Sequence, residues 1–187
     1  MAGSKYFEIE NGVLCRYTGC DAEVTVPEGV TEIGPKAFMR CASLKRVVLP
    51  EGVTKIGAAA FGECTALESA VIPGSVTEIG QYAFVGCTAL ESIVIPDSVT
   101  TIGFDAFSDC SSLKCIEIPD SVTEIGDSAF EGCTALKHIV IPDSVRIIGK
   151  YAFEGCTALT DVTMPAGIEI GEDAFKGTPY GEAHNLT

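Results

Sequence analysis

The chain has 187 residues, of which 47% are hydrophobic, and this fits a single domain with a sizeable core and excludes a wholly disordered protein. Acidic residues number 26 against 12 basic ones, and the net charge of −14 opposes binding to nucleic-acid phosphates and to anionic lipids. No run approaches the roughly 18 consecutive apolar residues of a membrane span. We therefore expect neither a nucleic-acid partner nor membrane insertion.

The N-terminal residues predict a β-hairpin. Two segments, Phe7 to Glu10 and Val13 to Tyr17, flank Asn11-Gly12, which is the strongest short hairpin signal. We expect residues 1–26 to form a hairpin cap and a first strand. The segment from Met1 to Arg16 lacks the charged start, apolar run and cleavage site of a secretory signal, which favours the cytoplasm over export.

From Pro27 onward, four residue types recur with one fixed period, equal to the interval between Pro27 and Pro50. The prolines are Pro27, Pro50, Pro73, Pro96, Pro119, Pro142 and Pro165. The phenylalanines are Phe38, Phe61, Phe84, Phe107, Phe130 and Phe153. The cysteines are Cys41, Cys64, Cys87, Cys110, Cys133 and Cys156, and the leucines are Leu44, Leu67, Leu90, Leu113, Leu136 and Leu159. A fixed period of this length is the signature of a solenoid, in which each residue type stacks into a ladder.

One repeat unit shows how a coil is built. The stretch from Leu90 to Ile95 alternates apolar and polar positions with the period of two of a half-buried strand, and Pro96 ends it. The stretch from Val99 to Gly103 predicts a second short extended piece, and Ala106-Phe107 predicts a helical turn that fills the core. A unit this short has no interior of its own, so it needs its neighbours for stability.

We therefore predict a repeat solenoid: a right-handed β-solenoid or horseshoe of about seven coils, with one main parallel strand per coil. Residues 27–164 hold six full repeats, and residues 165–187 form a degenerate last repeat and C-terminal cap within a single domain. In that last unit Thr178 takes the cysteine position and Gly181 the leucine position.

The unit I-P-x-S-V-T-x-I-G-x-x-A-F-x-x-C-x-x-L resembles the BspA-like, treponemal-type class of leucine-rich repeats. The resemblance covers Val24 to about Phe175. It implies a bacterial or protozoan surface protein that adheres to host matrix, and hence a cell-surface or secreted location, in contrast to the leaderless N-terminus. It supplies no catalytic motif.

The cysteine ladder is best explained as reduced, buried thiols that act as small hydrophobes beneath the phenylalanines. No C-x-x-C pair provides the short ligand spacing of a zinc site, so neither a metal nor a cofactor is expected. Cys15, Cys20 and Cys115 lie off the ladder, and a Cys15–Cys20 disulfide across a turn remains open.

Two residues per coil should point outward from the main strand and form the candidate binding surface. This candidate face comprises Arg46, Val48, Val71, Val94, Glu117, His138, Val140 and Asp161. The valines make an apolar stripe that is interrupted at Glu117, which either marks an interface or reflects the preference of valine for sheets. If the solenoid curves, this sheet should line its concave face.

Two chemical alternatives compete for this surface. Cys115, His138 and Asp161 fall on successive coils in the order nucleophile, base and orienting carboxylate, which would suit a thiol-dependent or metal-dependent enzyme. An acidic column at the turns could instead bind calcium; its members are Glu28, Glu51, Asp97, Asp120 and Asp143. Drift on a tolerant surface and ordinary turn chemistry explain both patterns better.

The sequence therefore favours a non-catalytic protein-binding or adhesion module that presents a rigid sheet face to a protein or host-matrix macromolecule. An intracellular scaffold that self-associates as a homo-oligomer is the alternative.

Overall fold

The computed structural model describes residues 4–186 and shows a solenoid of seven coils with two strands in each coil. A hairpin precedes the coils and one short helix follows them. The hairpin strands are β1 (Phe7–Glu10) and β2 (Val13–Tyr17). The three-residue strands are β3 (Glu23–Thr25), β5 (Arg46–Val48), β7 (Ser69–Val71), β9 (Ser92–Val94), β11 (Cys115–Glu117), β13 (His138–Val140) and β15 (Asp161–Thr163). The two-residue strands are β4 (Glu32–Ile33), β6 (Lys55–Ile56), β8 (Glu78–Ile79), β10 (Thr101–Ile102), β12 (Glu124–Ile125), β14 (Ile147–Ile148) and β16 (Glu169–Ile170). The helix is α1 (Pro179–His184).

The predicted solenoid of about seven coils is confirmed, but its continuous sheet is not the one that the sequence emphasised. The two-residue strands form a nine-stranded sheet with the hairpin, in the order β1-β2-β4-β6-β8-β10-β12-β14-β16. The three-residue strands, expected to be the main strand of each coil, divide into three separate sheets: β3-β5-β7, β9-β11 and β13-β15. The second extended piece of each repeat is therefore a strand of the one sheet that runs through all seven coils.

Coil-to-coil pairing is parallel and follows the repeat period. Ile102 lies opposite Ile79 on one side and Ile125 on the other, its equivalents in the two neighbouring coils. The glycine after each short strand allows this close approach, since a Cβ on Gly103 would lie 3.0 Å from the backbone nitrogen of Gln81. The last coil is one residue shorter than the others. Ile148 nevertheless pairs with Ile170, so the parallel ladder continues into this coil.

The interior is a stack of aromatic rings that runs the length of the solenoid. Phe84 and Phe107 lie 5.4 Å apart between ring centroids with their planes almost parallel at 1°, and Phe107 and Phe130 lie 5.5 Å apart at 3°. The stack continues at the N-terminal end through Tyr17, which is 5.2 Å from Phe38. Because each ring contacts the same ring of the coils before and after it, the core is shared by all coils.

Buried cysteines line the phenylalanine stack. The Cys110 thiol donates to the carbonyl oxygen of Phe84 at 3.3 Å, and the Cys133 thiol donates to that of Phe107 at 3.2 Å. The same contact recurs in other coils at Cys64, Cys87 and Cys156. The thiol thus satisfies a carbonyl while filling a small apolar position. The expectation of burial is wrong for Cys41 alone, which lies in the first coil at the end of the stack and is only half-buried.

The segment that carries each phenylalanine is a chain of turns, not the expected helical turn. Tyr82 has a φ of 59° and Asp105 a φ of 51°, both in the left-handed region. Within these turns every second N–H points toward the next coil: Tyr82 N donates to Phe104 O and Phe84 N to Ala106 O, each at 2.8 Å. This third face is therefore also joined from coil to coil by backbone hydrogen bonds.

The two ends are closed differently. At the N-terminus β1 pairs antiparallel with β2, and β2 continues the parallel sheet through β4, so the predicted hairpin cap is confirmed. At the C-terminus Thr178 begins α1, accepting from Gly181 N at 2.8 Å and donating to Phe175 O at 2.6 Å. Tyr180 then packs its ring edge on Phe175, with centroids 5.4 Å apart.

Candidate protein-binding face

The candidate site is the exposed side of the three-residue strands, here called the strand face. In each strand the middle residue points into the core and its two neighbours point away, as in β9, where Ile93 is buried between Ser92 and Val94. The first outward column is Glu23, Arg46, Ser69, Ser92, Cys115, His138 and Asp161. The second is Thr25, Val48, Val71, Val94, Glu117, Val140 and Thr163. These two columns define the strand face.

The valines of the second column differ in how much they contact solvent. Val94 is 76% exposed, Val140 58% and Val71 44%, whereas Val48 is half-buried. Glu117 is exposed between Val94 and Val140. Few large apolar side chains are so exposed in the described part of the chain, and three of these lie together in one column. An apolar stripe with polar neighbours is the surface type that interfaces use.

A column of charges runs along the rim of the strand face, one residue before each of the strands β5 to β13. This rim column is Lys45, Glu68, Glu91, Lys114 and Lys137. Two of its neighbouring pairs have opposite charges and form ion pairs: Lys45 Nζ lies 3.1 Å from Glu68 Oε1, and Lys114 Nζ lies 2.8 Å from Glu91 Oε2. The other two neighbouring pairs, Glu68 with Glu91 and Lys114 with Lys137, have like charges.

The like-charged pairs coincide with the two breaks between the three sheets. The coils of Glu68 and Glu91 hold β7 and β9, which form no ladder, and the coils of Lys114 and Lys137 hold β11 and β13, which form none either. Oppositely charged rim pairs flank the ladders β5-β7 and β9-β11. Like charges on adjacent strands repel, which would weaken strand pairing at those two positions. This pattern was not predicted from the sequence, although charges that recur with the repeat period were its signal.

A shallow depression opens at the second break. It has a volume of about 490 Å³, and its lining includes Cys115, Glu117, His138, Val140 and Pro142. Four of these side chains come from the two outward columns. This depression has an apolar wall and polar groups, as binding sites have, and a smaller one between β9 and β11 includes Val94 and Glu117.

The structure pairs only two of the three residues of the catalytic alternative. His138 and Asp161 are direct partners in the parallel pairing of β13 with β15, but Cys115 lies in β11, across the break. All three side chains are exposed on an open surface. Within residues 4–186 no group of three or more His, Cys, Asp or Glu side chains is arranged to hold a metal ion, and this covers both the strand-face residues and the acidic turn column.

The cysteines fall into two chemical classes. Cys15, Cys20 and Cys115 are exposed free thiols, so Cys15 and Cys20 are not bridged. Burial raises the pKa of Cys64, Cys110 and Cys156 to about 12, and it also raises the pKa of Cys87 and Cys133. A thiol with a raised pKa holds little of the reactive thiolate at neutral pH, so the ladder cysteines serve packing.

None of the helices found within residues 4–186 has the length and apolar character needed to cross a membrane.

Comparison with known proteins gives a consistent result. Residues 15–103 and 77–184 match the BspA type leucine rich repeat region, in six copies. A leucine rich repeat protein of Treponema pallidum superposes with a TM-score of 0.91 at 36% identity, covering 96% of this chain and 89% of that one. A leucine-rich repeat protein of Bacteroides ovatus has a TM-score of 0.80 at 37% identity over 84% of this chain and 41% of its own.

A leucine rich cell surface protein of Faecalibacterium prausnitzii has a TM-score of 0.63 at 31% identity, covering 87% of this chain and 51% of that one. No curated protein matches the sequence. The chain thus spans most of the Treponema protein and about half or less of the other two.

Proposed function

The chain belongs to the family of BspA-type leucine-rich repeat proteins, and from this premise we propose that it is a non-catalytic module that binds another protein through its strand face. Leucine-rich-repeat solenoids typically lack catalytic centres. Their shared core fixes the inward residues and leaves the outward ones free to differ, so function follows from the exposed surface.

The observation that carries this proposal is the exposure of the valine column. Val94 lies at the centre of the strand face with 76% of its surface open to solvent, and burying a valine releases about 1.5 kcal/mol or more. The core gains nothing from an apolar residue that points away from it. The first outward column and the rim column, which lie beside the valines, resemble the polar rim at the edge of protein interfaces.

The nature of the partner follows from charge and from the relatives. A net charge of −14 disfavours nucleic acid and anionic lipid, whereas a protein or host-matrix macromolecule can match a mixed apolar and charged strip. The Faecalibacterium relative is described as a cell surface protein. We place this chain in the same setting, with adhesion as its role.

Replacement of Val94 by Glu tests the proposal, with Ile147→Glu as the matched control. Ile147 is also an exposed strand residue, 38% accessible, but it lies in β14 on the other face. Each variant places its new glutamate opposite a glutamate of a neighbouring coil, Glu117 for Val94→Glu and Glu124 and Glu169 for Ile147→Glu. Both variants should therefore unfold at a slightly lower urea concentration than the parent and stay folded in the binding assay. Binding to a panel of immobilised matrix proteins, measured by surface plasmon resonance, should fall at least about tenfold for Val94→Glu only. Equal binding of both variants to every ligand of the parent would reject the strand face.

A further inference from the structure

Six charged residues of the strand face and its rim form three pairs that are arranged antisymmetrically about one point, midway between β9 and β11. Moving outward from that point along the rim column, Glu91 is matched by Lys114 and Glu68 by Lys137. In the first outward column, Arg46 in β5 is matched by Asp161 in β15. Each pair joins opposite signs at equal distances from the midpoint.

This arrangement is complementary to itself under a two-fold rotation. An axis parallel to the strands reverses the order of the coils and keeps each column facing its own counterpart. We infer that the partner of the strand face is a second copy of this chain, docked face to face about an axis that passes between β9 and β11. The inference rests on the proposed function, because it assigns the partner of the same face.

The docked arrangement supplies partners that one copy lacks. Lys137, Arg46 and Asp161 form no ion pair within residues 4–186 of a single copy. In the pair, Lys137 faces Glu68 of the second copy and Arg46 faces its Asp161. Each of these contacts occurs twice by symmetry, which doubles its effect on association.

The same axis also brings apolar residues of the second outward column into contact. Val71, 44% exposed, faces Val140 of the second copy, which is 58% exposed. The two most distant exposed valines of the stripe thereby cover each other.

Four nearby positions of the axis fail on charge. An axis between β7 and β9 sets Glu68 against Glu91, and one between β11 and β13 sets Lys114 against Lys137. An axis through β9 or through β11 sets Glu91 or Lys114 against itself, and like charges placed in contact disfavour a complex. An axis between β5 and β7 avoids like charges, but it overlaps four coils where the proposed axis overlaps six, and it leaves Asp161 without a partner.

The association should be weak, because the contact area is small. Six coils spaced about 4.8 Å apart, each offering a strand and rim residue about 13 Å long, give a footprint of roughly 380 Å² per copy, below the ~800 Å² of a standard stable interface. Glu117 adds a cost, since it faces Val94 and lies near the Glu117 of the second copy beside the axis. We therefore expect a salt-sensitive dimer with a dissociation constant in the micromolar range or above.

Charge reversal at Arg46 and Asp161 tests the inference, because the two residues lie five coils apart in one chain. Sedimentation velocity of the parent over a concentration series should show reversible dimerisation that raised salt weakens. Arg46→Glu and Asp161→Lys should each weaken it at least about tenfold, since each reversal acts twice. An equimolar mixture of the two variants should restore dimers, because every facing pair is then of opposite sign.

A second variant tests the position of the axis. Glu117→Val removes the repulsion at the centre and completes the valine stripe, so the dimer should tighten. A parent that stays monomeric at every concentration, a mixture that fails to restore dimers, or no tightening with Glu117→Val would each overturn the inference. None of these results bears on the Val94→Glu binding experiment, which decides the proposed function separately.

Discussion

Truncation of one ring in the middle of the aromatic stack should be severely destabilising. Phe107 is fully buried and stacks on Phe84 and Phe130 at centroid distances of 5.4 and 5.5 Å. Phe→Ala in a core costs about 3–5 kcal/mol, and each lost aromatic pair accounts for about 0.5–1.5 kcal/mol. Because both stacking partners are lost, Phe107→Ala should lower the free energy of unfolding by about 4–5 kcal/mol. Domains of this size have roughly 5–15 kcal/mol in total.

The same coil offers a matched control in Phe104. Its ring is 38% exposed and forms one edge-on aromatic pair, with Tyr82 at 5.1 Å, so Phe104→Ala should cost much less, about 1 kcal/mol. Urea unfolding followed by circular dichroism measures both variants. A loss for Phe107→Ala below the usual range for a core phenylalanine, or equal losses for the two variants, would refute the reasoning that stability depends on a ladder shared between coils.

Three further outcomes follow from individual contacts. Lys137→Glu places an acid beside Lys114, so it should raise the free energy of unfolding by up to about 1 kcal/mol and protect the backbone of β11 and β13 from hydrogen exchange. Iodoacetamide at pH 8 should label the exposed Cys115 in the folded protein, no faster than a thiol in an unstructured peptide, while Cys110, whose pKa burial raises to about 12, should stay unlabelled until urea unfolds the chain. Thr178→Val removes both hydrogen bonds of the helix cap and should cost about 1–2 kcal/mol in the urea titration.

Each of these three predictions has a result that would contradict it. Unchanged exchange in Lys137→Glu would mean that rim repulsion does not cause the sheet break. Labelling of Cys110 at the rate of Cys115 would contradict the buried ladder, and a Cys115 that outpaces the peptide thiol would favour the catalytic alternative. A neutral Thr178→Val would show that α1 is held by the packing of Tyr180 alone.

The repeat made much of the architecture predictable. Constant spacing of Phe84, Phe107 and Phe130 requires equivalent positions in successive coils, and residues that recur with an apolar character at every turn can share only the interior. The Asn11-Gly12 pair predicted the hairpin because both residues tolerate positive φ, and their φ values are 50° and 81°.

The division of strands between sheets was not predictable from the residue pattern alone. A two-residue strand such as Thr101–Ile102 is shorter than the segments that periodicity detects, and its pairing depends on the close approach at Gly103. The turns were also missed, because Tyr82 in the left-handed region breaks the rule that bulky residues avoid it. Backbone hydrogen bonds to the next coil hold it there.

The two outward columns of the strand face could be predicted from the sequence. The breaks between its three sheets could not. Period-two alternation placed Ser92 and Val94 outward. The missing ladder between β11 and β13 coincides with like charges outside the strands, and the depression beside His138 lies at the same position. The periodicity of apolar residues carries no information about the charges of the rim column.

The most direct test of the stacked, in-register solenoid is a single engineered disulfide. Ser92 in β9 is the direct partner of Cys115 in β11 of the next coil, and adjacent strands hold such residues within bridging distance. Under mild oxidation Ser92→Cys should form a bridge to Cys115, identified by peptide mapping. Ser69→Cys, one coil further away, should form no bridge to Cys115. A bridge to Cys115 from position 69 and not from position 92 would contradict the register on which the core and the strand face both depend.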